Sequence, residues 1–226
     1  MITLTSVTKR YNEGRPNEVQ ALKWIDLEIA RDAITVLKGP SGSGKTTLLS
    51  IVACMARPTT GRVTLDGEVV SGLPERFLTE LRRTTFGFVF QRFNLIRGLS
   101  VIENVMLPAA PLGGDHATVR ERALERLAAL DLADKATMPV EFLSGGETQR
   151  AAIARALIND APIVIADEPT ANLDTELTMR FLEIVRALRA EGKTVIMTSH
   201  DPRIWDAEGV DAVVEMRDGA IFGEFA

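Results

Sequence analysis

The chain carries the stretch Gly39-Pro40-Ser41-Gly42-Ser43-Gly44-Lys45-Thr46, which stands between a short apolar run and a helical pattern. The apolar run, Ile34–Leu37, is typical of a buried strand, and a helix is predicted over Lys45–Ala56. The spacing fits G-x-x-x-x-G-K-[ST], in which glycines let successive backbone N–H groups point at a phosphate at a helix N-terminus. We therefore expect Lys45 to reach the β- and γ-phosphates of a nucleotide and the Thr46 hydroxyl to bind Mg²⁺. The alternative is a Gly/Ser-rich turn that only caps a helix.

A second apolar run ends in two acids, and its position suits a metal-bound nucleotide. Ile163–Ala166 is predicted to be a buried strand, and Asp167 and Glu168 follow it directly. Asp167, at the carboxyl end of the strand, suits the Mg²⁺ shell through water. Glu168 would face the γ-phosphate and could polarise an attacking water as general base. The alternative is a pair of solvated acids that start a turn before Pro169.

Composition places the chain among ordinary globular proteins. It has 226 residues, of which 46% are hydrophobic and 25% charged, enough to bury a sizeable core. The net charge of −5 weighs against a nucleic-acid-binding surface. The single cysteine, Cys54, cannot form an internal disulfide, which fits a reducing compartment. No secretory signal is visible and no stretch approaches the ~20 apolar residues that span a bilayer, so we expect a cytosolic protein without direct membrane insertion.

The order of the predicted elements favours an α/β fold with a mostly parallel sheet. The first 70 residues are rich in strand patterns, and the last third alternates strands with helices. The middle differs, because Pro74–Arg83 and Ala117–Leu130 have the apolar spacing of amphipathic helices, which predicts an inserted helical lobe. The predicted strands are Ile2–Val7, Ala21–Ile29, Ile34–Leu37, Gly61–Leu65, Phe86–Phe90, Ile163–Ala166 and Thr194–Thr198, with helices over about Gly145–Asn159 and Glu176–Ala190 and a closing hairpin around Arg217-Asp218-Gly219.

The stretch Leu143-Ser144-Gly145-Gly146-Glu147 precedes one of these helices. Ser144 and Glu147 have capping-box spacing, so one interpretation is simply a well-formed helix start. Two glycines at the first helical positions cost helix stability, however, and they leave approachable backbone N–H groups beside a hydroxyl. This pattern predicts a second anion site, for which a chain with one phosphate-binding loop has no obvious use of its own.

At these motifs the chain closely resembles the ATPase subunits of ABC transporters, and the resemblance covers nearly its whole length. The matching positions are Tyr11 (adenine stacking), Gly39–Thr46 (Walker A), Gln91 (Q-loop), Leu143–Glu147 (signature), Ile163–Glu168 (Walker B), Ala171-Asn172-Leu173-Asp174 (D-loop) and His200 (switch histidine). The resemblance implies a P-loop NTPase core with a mostly parallel sheet, an N-terminal antiparallel β subdomain and an inserted α-helical subdomain. It implies a single domain over 1–226, with about 1–90 and 160–226 forming the RecA-like core lobe and about 91–159 the helical signature subdomain.

The resemblance also implies how the site works. Two chains would pair head to tail around two ATP molecules with Mg²⁺, each nucleotide lying between Walker A of one chain and the signature of the other. Gln91 would sense Mg²⁺ and the attacking water and couple the site to a membrane partner, and His200 would hold the γ-phosphate. The implied catalytic residues are Glu168, His200, Gln91 and Lys45; the nucleotide-binding residues are Tyr11, Gly39, Pro40, Ser41, Gly42, Ser43, Gly44, Lys45, Thr46, Thr47, Ser144, Gly145, Gly146 and Asp174; the metal-binding residues are Thr46, Gln91 and Asp167.

Within the family, the closer likeness is to the MacB/LolD-type ATPases, with FtsE as a relative. Gly87–Leu95, Glu103–Pro108 and Ala166–Asp174 carry that likeness. It implies a permease partner of MacB, LolC/LolE or FtsX type, a place on the cytoplasmic face of the membrane through that partner, and work in lipoprotein release or in drug or peptide export. The chain departs from the family pattern at Asp32-Ala33, Arg97-Gly98, Glu147 (usually Gln) and Ala171, none of which removes a catalytic group.

Other functions stay open at this point. A regulatory FtsE-like protein, or a soluble ABC protein of DNA repair, translation or cell division, would keep the ATPase without transport. The chain lacks the coiled-coil or zinc insertions and the second cassette of such soluble members, and Arg82-Arg83 is too small a basic patch for a nucleic-acid groove. A binding module with a decayed ATPase is a third class, against which the intact Lys45, Asp167 and Glu168 argue.

Overall fold

The strands of the computed structural model, which describes residues 1–171 and 173–225, form two sheets. In chain order the strands are β1 Ile2–Tyr11, β2 Val19–Ile29, β3 Ile34–Lys38, β4 Thr60–Leu65, β5 Glu68–Val69, β6 Phe86–Val89, β7 Ile163–Ala166, β8 Thr194–Ser199, β9 Ala212–Arg217 and β10 Ala220–Phe225. The smaller sheet is antiparallel, in the order β2-β1-β4-β5. The larger sheet has the order β10-β9-β3-β8-β7-β6, with its neighbours parallel except at the β10 edge. The predicted mostly parallel sheet is therefore confirmed.

Helices connect these strands. They are α1 Lys45–Val52, α2 Glu75–Thr84, α3 Val101–Met106, α4 His116–Ala129, α5 Gly145–Leu157, α6 Thr175–Ala190 and α7 Pro202–Trp205, with 3₁₀ turns at Leu107–Leu112, Ala133–Lys135 and Val140–Phe142. Asn172, within the predicted D-loop, lies outside the described residues. In the described part of the chain, none of the helices combines the length and the apolar character that crossing a bilayer requires.

Both faces of the parallel sheet are buried, as the apolar runs of its central strands predict. Alternate residues of a strand point to opposite faces. Val36 and Val164 accordingly belong to the core that α3, α4, α5 and α6 complete. Leu37 and Ile165, one residue further along their strands, belong to the core between the sheet, α1 and the antiparallel strands. The sheet is thus held rigidly on both sides, which suits it to position side chains at its edge.

The carboxyl ends of β3, β8 and β7 meet at one edge, because these strands are parallel neighbours. The glycine-rich loop 39–44 follows β3, Asp167 and Glu168 follow β7, and His200 follows β8. Ligands of open parallel sheets bind in the crevice outside the carboxyl ends of the strands. The topology therefore brings three separate sequence motifs to one place.

The structure differs from the sequence-based predictions at element ends and in short elements. Helix α1 ends at Val52 rather than at Ala56, because Cys54 adopts a left-handed conformation with φ 57°. The N–H of Met55 then bonds back to the carbonyl of Ser50, a closure typical of helix C-termini. Helix α3 was not predicted, although Ser100 and Glu103 form a complete capping box at its start.

Candidate functional site

Glycine is required at two positions of the loop between β3 and α1. Gly39 has φ 151° and Gly44 has φ 100°, values that side-chain-bearing residues rarely adopt. A Cβ at Gly39 would lie 2.3 Å from the carbonyl oxygen of Met216, and one at Gly44 would lie 2.7 Å from that of Ala21. The loop is therefore pressed against β9 and β2 on one side.

On its other side the loop offers a cradle that fits a phosphate group. A Cβ at Gly42 would meet nothing within 4 Å, so the backbone faces open space there. The hydroxyl oxygen of Ser43 is buried and has no hydrogen-bond partner among the described residues. Gly44, the N-cap of α1, supplies no side chain to the first N–H groups of the helix. Unsatisfied donors at a helix N-terminus are the ordinary surroundings of a bound anion.

Lys45 is buried beside this cradle. Its ammonium group donates to the carbonyl oxygens of Gly39 at 2.7 Å and Pro40 at 3.1 Å, and lies 3.7 Å from Oε1 of Glu168. A buried ammonium needs such partners, because burying an isolated charge is costly. The charge is thus held at the loop, close to the phosphate cradle.

Oxygen atoms that suit Mg²⁺ stand next to the cradle. The Thr46 hydroxyl donates to Oδ1 of Asp167 at 3.1 Å, and the Thr198 hydroxyl donates to the same oxygen at 2.7 Å. Hydroxyl and carboxylate oxygens are the ligands that Mg²⁺ prefers, and it keeps several waters in addition. The donor set therefore fits Mg²⁺, the metal predicted from the sequence.

Glu168 occupies a strained position between Lys45 and His200. Its backbone has φ 47°, in the left-handed region that glutamate seldom adopts, and strain of this kind concentrates at functional sites. One carboxylate oxygen, Oε1, faces Lys45, and the other, Oε2, lies 2.6 Å from Nδ1 of His200. The Glu168 N–H donates to the Thr198 hydroxyl at 2.8 Å, which fixes the backbone at this point.

Lys45, Thr46, Glu168 and His200 line a single cavity of about 780 Å³, whereas Asp167 and Thr198 are not among its walls. Its volume lies within the usual range for small-molecule sites. The walls are Val19, Gln20, Ala21, Lys23, Ser41, Gly42, Ser43, Gly44, Lys45, Thr46, Thr47, Gln91, Glu168, His200, Asp218 and Gly219. Tyr11 is not a wall residue, but it pairs with Val19 across the β1–β2 ladder and so stands at the rim, half-exposed. The cavity therefore extends from the phosphate cradle towards an exposed aromatic ring.

The signature residues lie elsewhere. Ser144 and Gly145 are exposed at the start of α5, and neither lines the cavity. Ser144 caps the helix, its hydroxyl accepting from the N–H of Glu147 at 3.4 Å, and Asp174 likewise caps α6 by accepting from the N–H of Leu177 at 2.9 Å. Within one chain, the predicted second anion site and the phosphate cradle are not brought together.

Several residues that shape the site were not predicted from the sequence. Thr198 donates to the Asp167 carboxylate and accepts from the backbone N–H of Glu168, yet the sequence pattern indicates only the end of a strand there. Gln149 donates its amide to the carbonyl of Pro169 at 2.8 Å and ties α5 to the loop after Glu168. The cavity walls from β2 and from the β9–β10 turn also went unrecognised, because no local motif marks them. A polar residue at the end of a wholly buried strand was the available signal for Thr198.

Comparison with known proteins agrees with this geometry. The family model described as ABC transporter matches residues 22–171. The chain is 42% identical to a macrolide export ATP-binding/permease protein MacB of Hyphomonas neptunium, covering 99% of this chain but 34% of that protein. It thus spans about a third of the MacB relatives. An uncharacterized ABC transporter ATP-binding protein of Thermotoga maritima is 42% identical over 99% of this chain and 94% of its own length.

Solved structures agree in fold. A structure described as a dimeric bacterial ABC transporter cassette aligns with a TM-score of 0.90 and 40% identity, covering 100% of this chain and 98% of its own. A dimeric post-hydrolysis state of the same cassette, bound to ADP and Pi, aligns with a TM-score of 0.90 and 39% identity, with the same coverage. The predicted fold is confirmed by these structures, and the chain belongs to the ABC transporter family.

Proposed function

We propose that this chain is an ATP-hydrolysing subunit that pairs head to tail with a second copy around two MgATP and powers a membrane permease. One observation carries the proposal: Lys45, Thr46 and Glu168 converge on the phosphate end of one cavity. Two further residues complete the group: Asp167, which is hydrogen-bonded to Thr46, and His200, which is hydrogen-bonded to Glu168. Such an arrangement serves phosphoryl transfer, in which positioning and electrostatic stabilisation do most of the catalytic work.

Each side chain has a role that its position supports. Lys45 and the N–H groups of the loop bind the β- and γ-phosphates, while Thr46, Asp167 and Gln91 would hold Mg²⁺. Bound Mg²⁺ would supply neutralisation of phosphate charge. Glu168 accepts a proton from the attacking water while the water oxygen bonds to the γ-phosphorus. The bond between that phosphorus and the bridging oxygen of ADP breaks at the same time.

His200 acts on both Glu168 and the substrate in this proposal. Its Nδ1 holds Oε2 of Glu168, so the other ring nitrogen remains for an oxygen of the γ-phosphate. The imidazole would thereby fix the carboxylate relative to the phosphate that water attacks. Tyr11, at the rim beyond Val19, would stack on the adenine.

The second half of the site comes from another copy of the chain. Ser144 and Gly145 are exposed and lie outside the cavity of their own chain. A backbone N–H and a hydroxyl at a helix N-terminus form a ready anion site. We assign this site, with Gly146 and Asp174, to the nucleotide of the opposite copy. The dimeric arrangement of the similar cassette supports that assignment.

A groove beside Gln91 suits the membrane partner. It encloses about 470 Å³, and its walls include Phe90 and Asn94, which flank Gln91. Arg155 donates to the carbonyl of Asn94 at 2.6 Å and holds this segment in place. A permease segment in the groove would therefore act on Gln91 through the flanking residues Phe90 and Asn94. A partner of MacB, LolC/LolE or FtsX type would place the chain on the cytoplasmic face of the membrane.

The test of the chemistry uses Glu168→Gln, with Glu121→Gln on the exposed face of α4 as the matched control. Glu168→Gln is expected to bind MgATP while its turnover falls at least ~10²-fold, the usual contribution of a general base. Glu121→Gln should turn over like the parent. Undiminished hydrolysis by Glu168→Gln would remove that residue from the base role.

The test of the partner uses the same variant, tagged and recovered with MgATP from detergent-solubilised membranes of its host. Mass spectrometry should identify a membrane protein with few transmembrane helices and a large extracytoplasmic domain. Recovery of soluble partners without any membrane protein would favour a soluble ABC protein instead, and would leave the ATPase chemistry intact.

A further inference from the structure

Glu147 places a carboxylate where the family pattern has an uncharged glutamine. Its Oε2 accepts from the N–H of Ser144 at 2.8 Å, and its own N–H donates to the Ser144 hydroxyl. These bonds, the backbone one first, hold the pKa of the Glu147 carboxyl below its usual value. A full negative charge is therefore held next to Ser144, the residue that would face a nucleotide in the proposed function.

Lys135 stands beside that charge. It ends the 3₁₀ turn Ala133–Lys135, and its Nζ lies 3.8 Å from Oε1 of Glu147, the carboxylate oxygen that Ser144 does not use. The Glu147 side chain is 23% exposed and that of Lys135 32%, so water screens this pair only in part. Arg150, one turn further along α5, adds a second positive charge that lowers the same pKa.

The pair matters because of what Ser144 would face. In the head-to-tail arrangement, the start of α5 meets the triphosphate of the opposite copy, and a carboxylate there repels it. An ammonium group next to the carboxylate offsets the repulsion. Because it attracts Oε1 of the same carboxylate at 3.8 Å, it also helps to hold the side chain that caps α5. A glutamine would need no such neighbour.

We infer that Lys135 is a positioning residue of the ATP-dependent dimer. By holding the Glu147 side chain and offsetting its charge, Lys135 allows the signature loop to bind the triphosphate of the second copy. This inference rests on the proposed function. Lys135 itself touches no nucleotide; its effect depends on the acid beside it.

The experiment measures dimer formation in the Glu168→Gln background, so that ATP is not consumed. Dimer formation is followed by sedimentation velocity during an MgATP titration. The proteins compared are Glu168→Gln itself (the parent) and the parent with Lys135→Met, with Glu147→Gln, or with both substitutions. Arg126→Met is the matched control, because it removes a partly exposed cation of α4 that pairs with Asp160, away from the signature. Thermal unfolding of each variant, without nucleotide, checks that the fold is retained.

Lys135→Met should weaken MgATP-dependent dimerisation about four- to twenty-five-fold, since a partly exposed contact between charges changes an equilibrium about two- to fivefold. The dimer would contain two such contacts, each between a Glu147 carboxylate without its ammonium neighbour and a triphosphate. Adding Glu147→Gln should restore dimerisation to the level of Glu147→Gln alone, and Arg126→Met should match the parent. The inference is wrong if Lys135→Met dimerises like the parent, or if Glu147→Gln fails to rescue it. A parent that binds MgATP but stays monomeric would overturn the proposed dimer itself, and the inference with it.

Discussion

Thr198 shows how one buried hydroxyl can orient two residues of the proposed site. It lies in β8, fully buried, where it donates to Asp167 and accepts from the backbone N–H of Glu168. Without that bond, the left-handed backbone of Glu168 would lose a contact that holds it. The hydroxyl therefore contacts both the carboxylate of Asp167, which is proposed to bind Mg²⁺, and the backbone of Glu168, which is proposed to activate the attacking water.

Thr198→Val is expected to lower kcat for ATP hydrolysis about 10- to 100-fold, the usual effect of removing a group that orients metal ligands. It should also reduce the free energy of unfolding by about 1–3 kcal/mol, because a buried N–H loses its acceptor. Thr198→Ser retains the hydroxyl and is the control. Steady-state ATPase assays and urea unfolding measure both effects. Unchanged kcat in Thr198→Val would show that the hydroxyl does not orient the site.

The reactivity of the buried Cys54 thiol should depend on pH. Burial raises the pKa of its thiol to about 11, against ~8.5 for an exposed cysteine. The native thiol should therefore react slowly with iodoacetamide at pH ~8.5 and faster as the pH approaches ~11, whereas in urea the rate should level off above the ordinary thiol pKa. Equal rates in native and urea-unfolded protein would contradict this, and Cys54→Ala should lose the labelling.

At the scale of elements, the loop between β3 and α1 depends on close packing as well as on glycine conformation. A Cβ at Gly39 would collide with the backbone of β9, whereas at Gly67, in the turn between β4 and β5, it would meet nothing within 4 Å. Both glycines have positive φ, 151° and 85°. The two positions therefore separate the cost of conformation from the cost of collision.

Gly67→Ala is expected to reduce the free energy of unfolding by about 1–2 kcal/mol, the cost of a left-handed alanine. Gly39→Ala should cost more and should weaken ATP binding, because the loop must move away from Met216. Urea unfolding and ATP titration of both variants provide the comparison. Equal stability and equal ATP affinity would mean that the loop yields without consequence.

Sequence patterns predicted the strands that carry the site, because β3, β7 and β8 are short, largely apolar runs with both faces buried. They failed where the deciding contact is distant or the element is short. The end of α1 depends on the left-handed conformation of Cys54, which no glycine or asparagine at that position predicts. The six residues of α3 are too few for a helical period. The wall of the cavity formed by β2 follows only from the topology.

At the scale of the whole molecule, the division into a core lobe and a helical lobe stays a prediction. One hydrophobic core contains residues of both, since Leu127 of α4 and Val195 of β8 belong to it together. The lobes therefore share apolar contacts within one chain. Relative movement between them would have to preserve that shared core.

The two halves of the proposed ATP site stand apart in one chain, and this separation determines how copies should associate. Ser144 and Gly145 are exposed, and the cavity at Lys45 is lined without them. Each chain carries a net charge of −5, so two copies repel one another weakly at long range. Association should therefore require a ligand that bonds to both halves, and MgATP is that ligand in the proposed function.

Glu168→Gln is accordingly expected to sediment as a monomer without nucleotide and as a dimer with MgATP, because a ligand bound by both copies stabilises the closed form increasingly as its concentration rises. Lys45→Ala/Glu168→Gln is the control. It should stay monomeric at the same MgATP concentration, since the ammonium group that would bind the phosphates is gone. Identical masses for Glu168→Gln with and without MgATP would contradict the prediction. A dimer in the control would mean that contacts other than the nucleotide hold the copies together.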